Sequence, residues 1–178
     1  MSVFPFSPEG GVVRSVLSGL GKRSIIFPAA LLAALGIGLQ SLGIVFFSHE
    51  SLGASATQVG CLAATWSLSY VFGCFCLGGV SGRMAPRLSC FLALCGMCLA
   101  VLGVSFSRTL APAFGFYVLF GLSTAFFWPP LMGWLSLAIE GRDLGRAMGI
   151  FNVCWSTGAV VGPLLAGYLS EMDRRAPP

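Results

Sequence analysis

The spacing of the charged residues constrains this chain more than any other feature of its sequence. Ten basic and six acidic residues leave five uncharged intervals, at 24–48, 51–82, 88–107, 109–139 and 147–170. Each interval reaches the roughly 20 residues that a membrane-spanning helix needs. Only 9% of the chain is charged and 56% is hydrophobic, whereas soluble domains carry about 25% charged residues. The intervals therefore predict five transmembrane helices.

Within the intervals we place spans at about 25–47, 59–81, 88–106, 113–138 and 147–169. The spans lack the polar residues at helical spacing that mark a soluble amphipathic helix, and the short alternating strands of an outer-membrane barrel are also absent. The predicted fold class is an all-α polytopic membrane protein. Its predicted organisation is a leader at 1–23, a helical bundle at 24–170 and a short outside tail at 171–178.

The basic residues predict the orientation of the bundle. With the N-terminus in the cytoplasm, the inside segments hold seven basic residues and the outside segments three: Arg14, Lys22, Arg23, Arg83, Arg87, Arg142 and Arg146 against Arg108, Arg174 and Arg175. Basic residues concentrate in cytoplasmic loops. We therefore expect a multi-pass protein of the cell membrane with a cytoplasmic N-terminus. The net charge of +4 is explained by these loops, and no nucleic-acid partner is expected.

The sequence favours neither a metal site nor an enzyme. All seven cysteines fall inside predicted spans, and the Cys95–Cys98 pair lacks the second ligand pair that a zinc site needs. No acid and base, nucleophile with a partner or metal cluster falls inside a predicted span. We therefore expect no cofactor, no metal and no catalytic residue.

Three stretches carry recognisable motifs. The loop after the second span reads Gly78-Gly-Val-Ser-Gly-Arg-Met-Ala-Pro-Arg-Leu88, the loop after the fourth reads Glu140-Gly-Arg-Asp-Leu-Gly-Arg-Ala-Met-Gly149, and the fifth span contains Trp155-Ser-Thr-Gly-Ala-Val-Val-Gly-Pro-Leu-Leu-Ala-Gly167. This order resembles the N-terminal half of a major facilitator superfamily transporter, over five of the usual twelve spans. The resemblance implies transport of a small solute by alternating access.

The inside loop matches the family pattern G-x-x-x-D-R-x-G-x-R in part. Gly78, Arg83 and Arg87 occupy family positions, whereas Gly82 replaces the aspartate and Ala85 replaces the second glycine. In the family the aspartate helps to lock the inside gate, and this role is not carried over. In the second inside loop Arg146 takes the family's basic position, while Tyr117 stands where a span-4 motif has an arginine.

The fifth span matches the family pattern G-x-x-x-G-P-x-x-G-G most closely. Gly158, Gly162, Pro163 and Gly167 are in register, and Ala166 replaces one glycine. Stacked small residues let helix backbones approach closely in lipid, where such packing drives association. The small residues form a groove on the fifth span, which serves either static packing or a moving gate. The expected partners of this groove include helices beyond this chain. In the family this stretch is typical of antiporters and exporters, which favours efflux.

The resemblance places spans 1, 2, 4 and 5 around a central cavity and span 3 at the periphery. Polar or aromatic residues at middle depth in the inner spans are candidates for the substrate pathway: Gln40, Tyr70, Trp128, Asn152, Trp155 and Ser156. Interhelical bonding that serves packing alone is the alternative for these residues. Pro129 and Pro130 predict a break or kink in span 4.

The sequence is compatible with two functions. The first is secondary active or facilitative transport, with export favoured, by a partial or truncated transporter. The second is a membrane scaffold or assembly subunit that keeps the packing motifs without transporting. The expected partners are the lipid bilayer, an unknown small solute and either a missing C-terminal half or a second copy of the chain.

Overall fold

The computed structural model describes residues 25–81, 83–136 and 142–175. Within these ranges the chain forms helices connected by short loops, and five of the helices are long and apolar enough to cross a membrane. The helices are α1 (Ile26–Glu50), α2 (Ala56–Ser81), α3 (Pro86–Ser105), α4 (Leu110–Ser136) and α5 (Arg142–Arg175). The predicted all-α membrane fold with five spans is confirmed.

The helix ends differ from the predicted spans by a few residues, except at α5. This helix continues from Arg142 to Arg175, beyond both ends of the predicted span at 147–169. Its apolar part, Leu144–Met172, is the portion that is suited to a membrane. The polar ends of α5 therefore prolong the helix past the apolar segment, and residues 171–175 of the predicted tail are helical.

Local sequence signals explain where α2 and α3 begin. Ser55 and Gln58 form a reciprocal capping box, in which the Ser55 N–H donates to Gln58 Oε1 at 2.9 Å and the Gln58 N–H donates to Ser55 Oγ at 3.3 Å. Pro86 occupies the first turn of α3, where its missing N–H costs no helical bond. Gly53, in the tight connection before α2, adopts a φ of 64°, which glycine tolerates without strain.

The most extensive helix–helix interface of the described chain joins α1 and α5, which run parallel. A Cβ atom on Gly158 would lie 2.5 Å from the Leu31 carbonyl oxygen, and one on Gly162 would lie 2.5 Å from that of Leu35. Since real Cβ contacts are longer, only glycine allows these backbones to come so close. The groove predicted on the fifth span is thus filled by α1 of the same chain, although the sequence had suggested partners beyond it.

The helices α2, α3 and α4 form a second packed group. In the parallel α2–α4 pair, a Cβ atom on Gly121 would lie 2.7 Å from the Trp66 carbonyl oxygen, and one on Gly73 would lie 2.7 Å from Ala125 Cβ. In the antiparallel α3–α4 pair, Gly96 accommodates the Ser123 side chain. Within this group α2 and α3 both pack against α4, and the α1–α5 pair touches the group much less than α4 touches either of these helices.

The proline pair does not break α4, so of the predicted break or kink the break is wrong. Pro129 and Pro130 lie inside one continuous helix. A proline at position 130 removes the N–H that would bond the Phe126 carbonyl, and an unpaired carbonyl in lipid is costly. The buried Ser89 on α3 donates its hydroxyl to this oxygen at 3.1 Å. A neighbouring helix therefore supplies the hydrogen bond that the proline cannot.

Candidate functional site

A cavity lies where the α1–α5 pair meets the α2–α3–α4 group. It has two parts of about 440 Å³ each that share lining residues, since Tyr70, Trp128 and Trp155 line both of them. The first part is walled by α2, α4 and α5, and the second also by α1 through Gly38 and Ser41. No residue of α3 lines either part. The volume of each part is in the range of pockets that bind small molecules.

Aromatic rings form two walls of this cavity, which we call the aromatic cavity. On α2, Trp66 and Tyr70 are four residues apart and therefore share a face, and their rings lie nearly parallel with centroids 6.1 Å apart and an interplanar angle of 17°. Trp128 of α4 meets Phe151 of α5 edge to face, with ring centroids 6.1 Å apart and an interplanar angle of 85°. Trp155 projects from α5 and is 45% exposed.

Four of the six predicted pathway residues line the aromatic cavity: Tyr70, Trp128, Asn152 and Trp155. The other two, Gln40 and Ser156, are not among its lining residues. On α1 the cavity is lined by Ala34, Gly38 and Ser41, and the helical spacing turns Gln40 away from this stripe. Ser156 is exposed on α5 beside the residues that face the cavity.

Several lining residues were not among the predicted ones, among them Trp66, Thr124 and Phe151. Trp66 had a usable signal, because it lies one helical turn before Tyr70 and must share its face. Thr124 and Phe151 had none, because a threonine or phenylalanine in an apolar helix is equally suited to packing or to lipid contact.

Most hydroxyl groups of the inner helices are bonded within their own helix. Ser41 donates to the Gly38 carbonyl at 2.8 Å, Thr124 to that of Phe120 at 2.8 Å and Ser69 to that of Thr65 at 2.7 Å. In contrast, Trp66 Nε1 is buried and has no hydrogen-bond partner within the described part of the chain. The lining residues of the aromatic cavity include no acidic or basic side chain.

The predicted gating residues of α5 differ in their surroundings. Gly158 and Gly162 pack against the α1 backbone, and Pro163 lies against Gly38, where a Cβ atom would be 2.7 Å from Pro163 Cδ. A Cβ atom on Gly167 would meet no atom within 4 Å. The close packing predicted for this stretch is therefore concentrated in its first part.

The predicted loop motifs lie near the ends of the helices. Arg87, in the first turn of α3, stacks its guanidinium over the ring of Trp134 near the end of α4, at 5.3 Å from the ring centroid. Arg83 is exposed in the connection before it, Gly78 is half-buried near the end of α2, and Arg146 is exposed in the first part of α5. Arg87 therefore ties α3 to α4 by a cation–π contact.

The described residues hold no group of three His, Cys, Asp or Glu side chains that could bind a metal ion. The described cysteines are free, and four of the seven are exposed on the helices. The aromatic cavity itself offers aromatic rings and a small number of polar groups.

The chain matches the family described as Major Facilitator Superfamily over residues 26–172. It is 23% identical to the multidrug resistance protein 1 of Bacillus subtilis, over 86% of this chain and 39% of that protein. It is also 23% identical to the tetracenomycin C resistance and export protein of Streptomyces glaucescens, over 96% of this chain and 32% of that protein. An uncharacterized MFS-type transporter of Methanocaldococcus jannaschii is 22% identical, over 83% of this chain and 38% of its own length. The chain thus spans less than two fifths of each of these relatives.

Proposed function

The chain belongs to the major facilitator superfamily, and on this premise we propose that it carries a small solute across the cell membrane by alternating access. The observation that supports this proposal most directly is the aromatic cavity, which opens between two separately packed groups of helices. Transporters of this type bind solute near the bilayer midplane and move one bundle or structural repeat against the other. Relative movement of the two groups would change access to the cavity.

We propose export as the direction of transport. The names of two relatives support it, since one is a multidrug resistance protein and the other a resistance and export protein. The glycine-proline stretch of α5 supports it as well, because its pattern resembles that of exporters and antiporters. The seven-to-three distribution of basic residues supports a cytoplasmic N-terminus.

Catalysis plays no part in the proposed function, and neither does a bound cofactor. The proposed partners are the bilayer, the solute and further helices, supplied either by a C-terminal half or by a second copy of the chain. The DNA that follows the codon for Pro178 decides which polypeptide is tested. If the frame continues into more apolar spans, the experiments use the longer product.

Alternating access has a test that needs no knowledge of the solute. In a variant whose seven cysteines are replaced by alanine or serine, Asn152→Cys places one thiol in the aromatic cavity. A membrane-impermeant maleimide should label this thiol from either side of the membrane, because each conformation opens the cavity to one side. Gly167→Cys serves as a control outside the cavity, and its labelling should be restricted to one side.

Labelling of Asn152→Cys from one side alone would contradict alternating access and favour the scaffold function. The departures of the inside loop from the family pattern, at Gly82 and Ala85, are the feature that supports the scaffold. Direction is tested separately in everted vesicles, in which an exporter accumulates solute. Ethidium and Nile red are suitable probes, with vesicles from cells that lack the chain as the blank.

A further inference from the structure

We propose that a groove between α1 and α3 binds a further transmembrane helix of the same polypeptide, and that the side chain of Gln40 forms a hydrogen bond to this helix. We call this surface the α1–α3 groove. The inference concerns the assembly of the bundle, so it does not depend on the transport function proposed above. Three observations lead to it: the open apolar side of α1, the unpaired amide of Gln40 and the order in which the helices pair.

The α1–α3 groove is apolar and is not filled by any described helix. It has a volume of about 760 Å³ and is lined mainly by α1 and α3, with the buried rings of Phe120 and Phe127 contributed by α4. Its lining residues include no charged, hydroxyl or amide side chain. Ile37 lines both this groove and the aromatic cavity and therefore lies between the two. Within the described chain α1 and α3 hardly contact each other.

Small residues recur along the side of α1 that faces the groove. Ala29 and Gly36 line it and are seven residues apart, and Gly43 follows after seven more. Residues at this spacing stay on one side of a helix and form the seam along which a second helix packs. A Cβ atom on Gly36 or on Gly43 would meet no described atom within 4 Å. The backbone of another helix therefore has room to approach α1 closely, and in lipid such approach favours helix association.

Gln40 lies on the same side of α1, and its side chain is half-buried without a hydrogen bond to any described residue. It follows Gly36 by four residues and Ala33 by seven, and both of these line the groove. The end of α1 at Glu50 is about 15 Å away along the helix axis, too far for the amide to reach water there. Acyl chains offer no hydrogen bond, and an unpaired amide in hydrocarbon is unfavourable. A helix supplies a partner that lipid does not.

The pairing of the described helices indicates the direction and the source of this helix. The parallel pair α2–α4 is covered by α3, which packs antiparallel against α4. The parallel pair α1–α5 has no described helix that packs on the groove side of α1. A span that follows α5 crosses the membrane in the opposite direction, so it runs antiparallel to both α5 and α1. The chain spans less than two fifths of each relative, which leaves length for such a span.

Oxygen accessibility of a spin label distinguishes a helix from lipid in the groove. The product of the complete reading frame, with its cysteines replaced, carries a nitroxide on Leu32→Cys and is reconstituted into liposomes. Leu32 lines the groove and is 66% exposed. Leu99→Cys is the matched control, because Leu99 on α3 is 59% exposed and is not among the lining residues. We expect a rate of collision with oxygen about threefold lower at Leu32→Cys, since packed side chains replace mobile acyl chains there.

Dilution of the labelled protein with a large excess of unlabelled protein identifies the source of the helix. A span of the same polypeptide gives no dipolar broadening at Leu32→Cys, with or without dilution. Broadening that disappears on dilution would overturn the inference in favour of a second copy of the chain. Equal collision rates at the two positions would overturn it in favour of lipid, and so would a reading frame that ends at Pro178. Failure of transport is a separate result, since Asn152→Cys is then labelled from one side alone while the spin-label results are as expected.

Gln40→Leu tests the hydrogen bond, because a helix and lipid predict changes of opposite sign. Loss of a bond to a helix should lower the midpoint of thermal unfolding by about 2 °C. Removal of an unpaired amide from lipid would instead raise it. Thr157→Val is the control, because Thr157 is exposed on α5 and its hydroxyl donates to the Val153 carbonyl of the same helix. A midpoint for Gln40→Leu that is unchanged or raised would overturn the role of Gln40.

Discussion

The α1–α5 pair and the α3–α4 pair are held together by different means. Between α1 and α5 the contact is backbone to backbone, since Gly158 and Gly162 face carbonyl oxygens of α1. Between α3 and α4 side chains carry the contact: Ser89 bonds the Phe126 carbonyl, and the ring of Phe116 lies over Gly103.

The difference determines which substitution each interface tolerates. A side chain can change rotamer when its neighbour grows, but a carbonyl in a helix cannot move without the helix. The α1–α5 interface should therefore be most sensitive to added volume. The α3–α4 interface should be most sensitive to the loss of a hydrogen bond, because the carbonyl that it leaves unpaired is buried in an apolar medium.

The largest effect is expected for Gly162→Leu. A Cβ atom at this position would lie 2.5 Å from the Leu35 carbonyl oxygen and 2.9 Å from Gly38 Cα, so the two helices must separate. We expect transport by the full-length protein to be abolished while membrane insertion persists. Vesicle transport and the amount of protein in the membrane fraction measure the two properties.

Gly167→Leu is the matched control for Gly162→Leu. It adds the same side chain to the same helix, at a position where a Cβ atom meets no atom within 4 Å. We expect Gly167→Leu to keep transport, because the described helices leave room for the added side chain. Undiminished transport by Gly162→Leu would show that the α1–α5 interface takes no part in gating.

Ser89→Ala should have the next largest effect. It leaves the Phe126 carbonyl without its hydrogen bond, at a cost of about 1–3 kcal/mol in the free energy of unfolding. Thermal unfolding in detergent measures the loss. Pro130→Ala restores the N–H that bonds this carbonyl within α4, so Ser89→Ala should cost much less in that background. Equal costs in both backgrounds would show that Ser89 does not compensate for the proline.

Asn152→Ala tests the cavity between the two packed groups. Asn152 lines the cavity, whereas Ser156, one turn further along α5, does not. Loss of one hydrogen bond to the solute should raise the KM for transport about fivefold. Ser156→Ala should leave the KM unchanged, because its hydroxyl does not reach the solute. The reverse ranking of the two variants would place the pathway on another face of α5.

The smallest effect is expected for Arg87→Gln. This change removes the cation–π contact with Trp134, which is worth about 0.5–1 kcal/mol at an exposed site. Thermal unfolding should show a small loss of stability for Arg87→Gln, and this loss should disappear when Arg87→Gln is made in the Trp134→Leu background. Arg83→Gln, in the exposed connection before α3, should cost less. A larger loss for Arg83→Gln would assign the main structural contact of this loop to that residue.

Part of the site was predictable because aromatic and amide side chains are uncommon inside apolar spans and therefore conspicuous. Tyr70, Trp128, Asn152 and Trp155 were identified in this way and do line one cavity. Gln40 is equally conspicuous but lies on another side of α1, and Phe151 lines the cavity without any distinguishing signal. Residue type alone does not report which way a side chain points once several helices surround it.

The sequence by itself determined the number of spans, because the cost of burying charge in lipid separates spans from loops. It also determined that α5 can pack closely against another helix, because stacked glycines permit close packing wherever they occur. Only the tertiary structure decided that α1 fills the groove of α5 and that Ser89 bonds the carbonyl released by Pro130. It also decided that Trp66 and Trp128 face one cavity. Apolar helices in lipid have many partners of similar hydrophobicity, so the choice among them depends on the fit of surfaces that no single span contains.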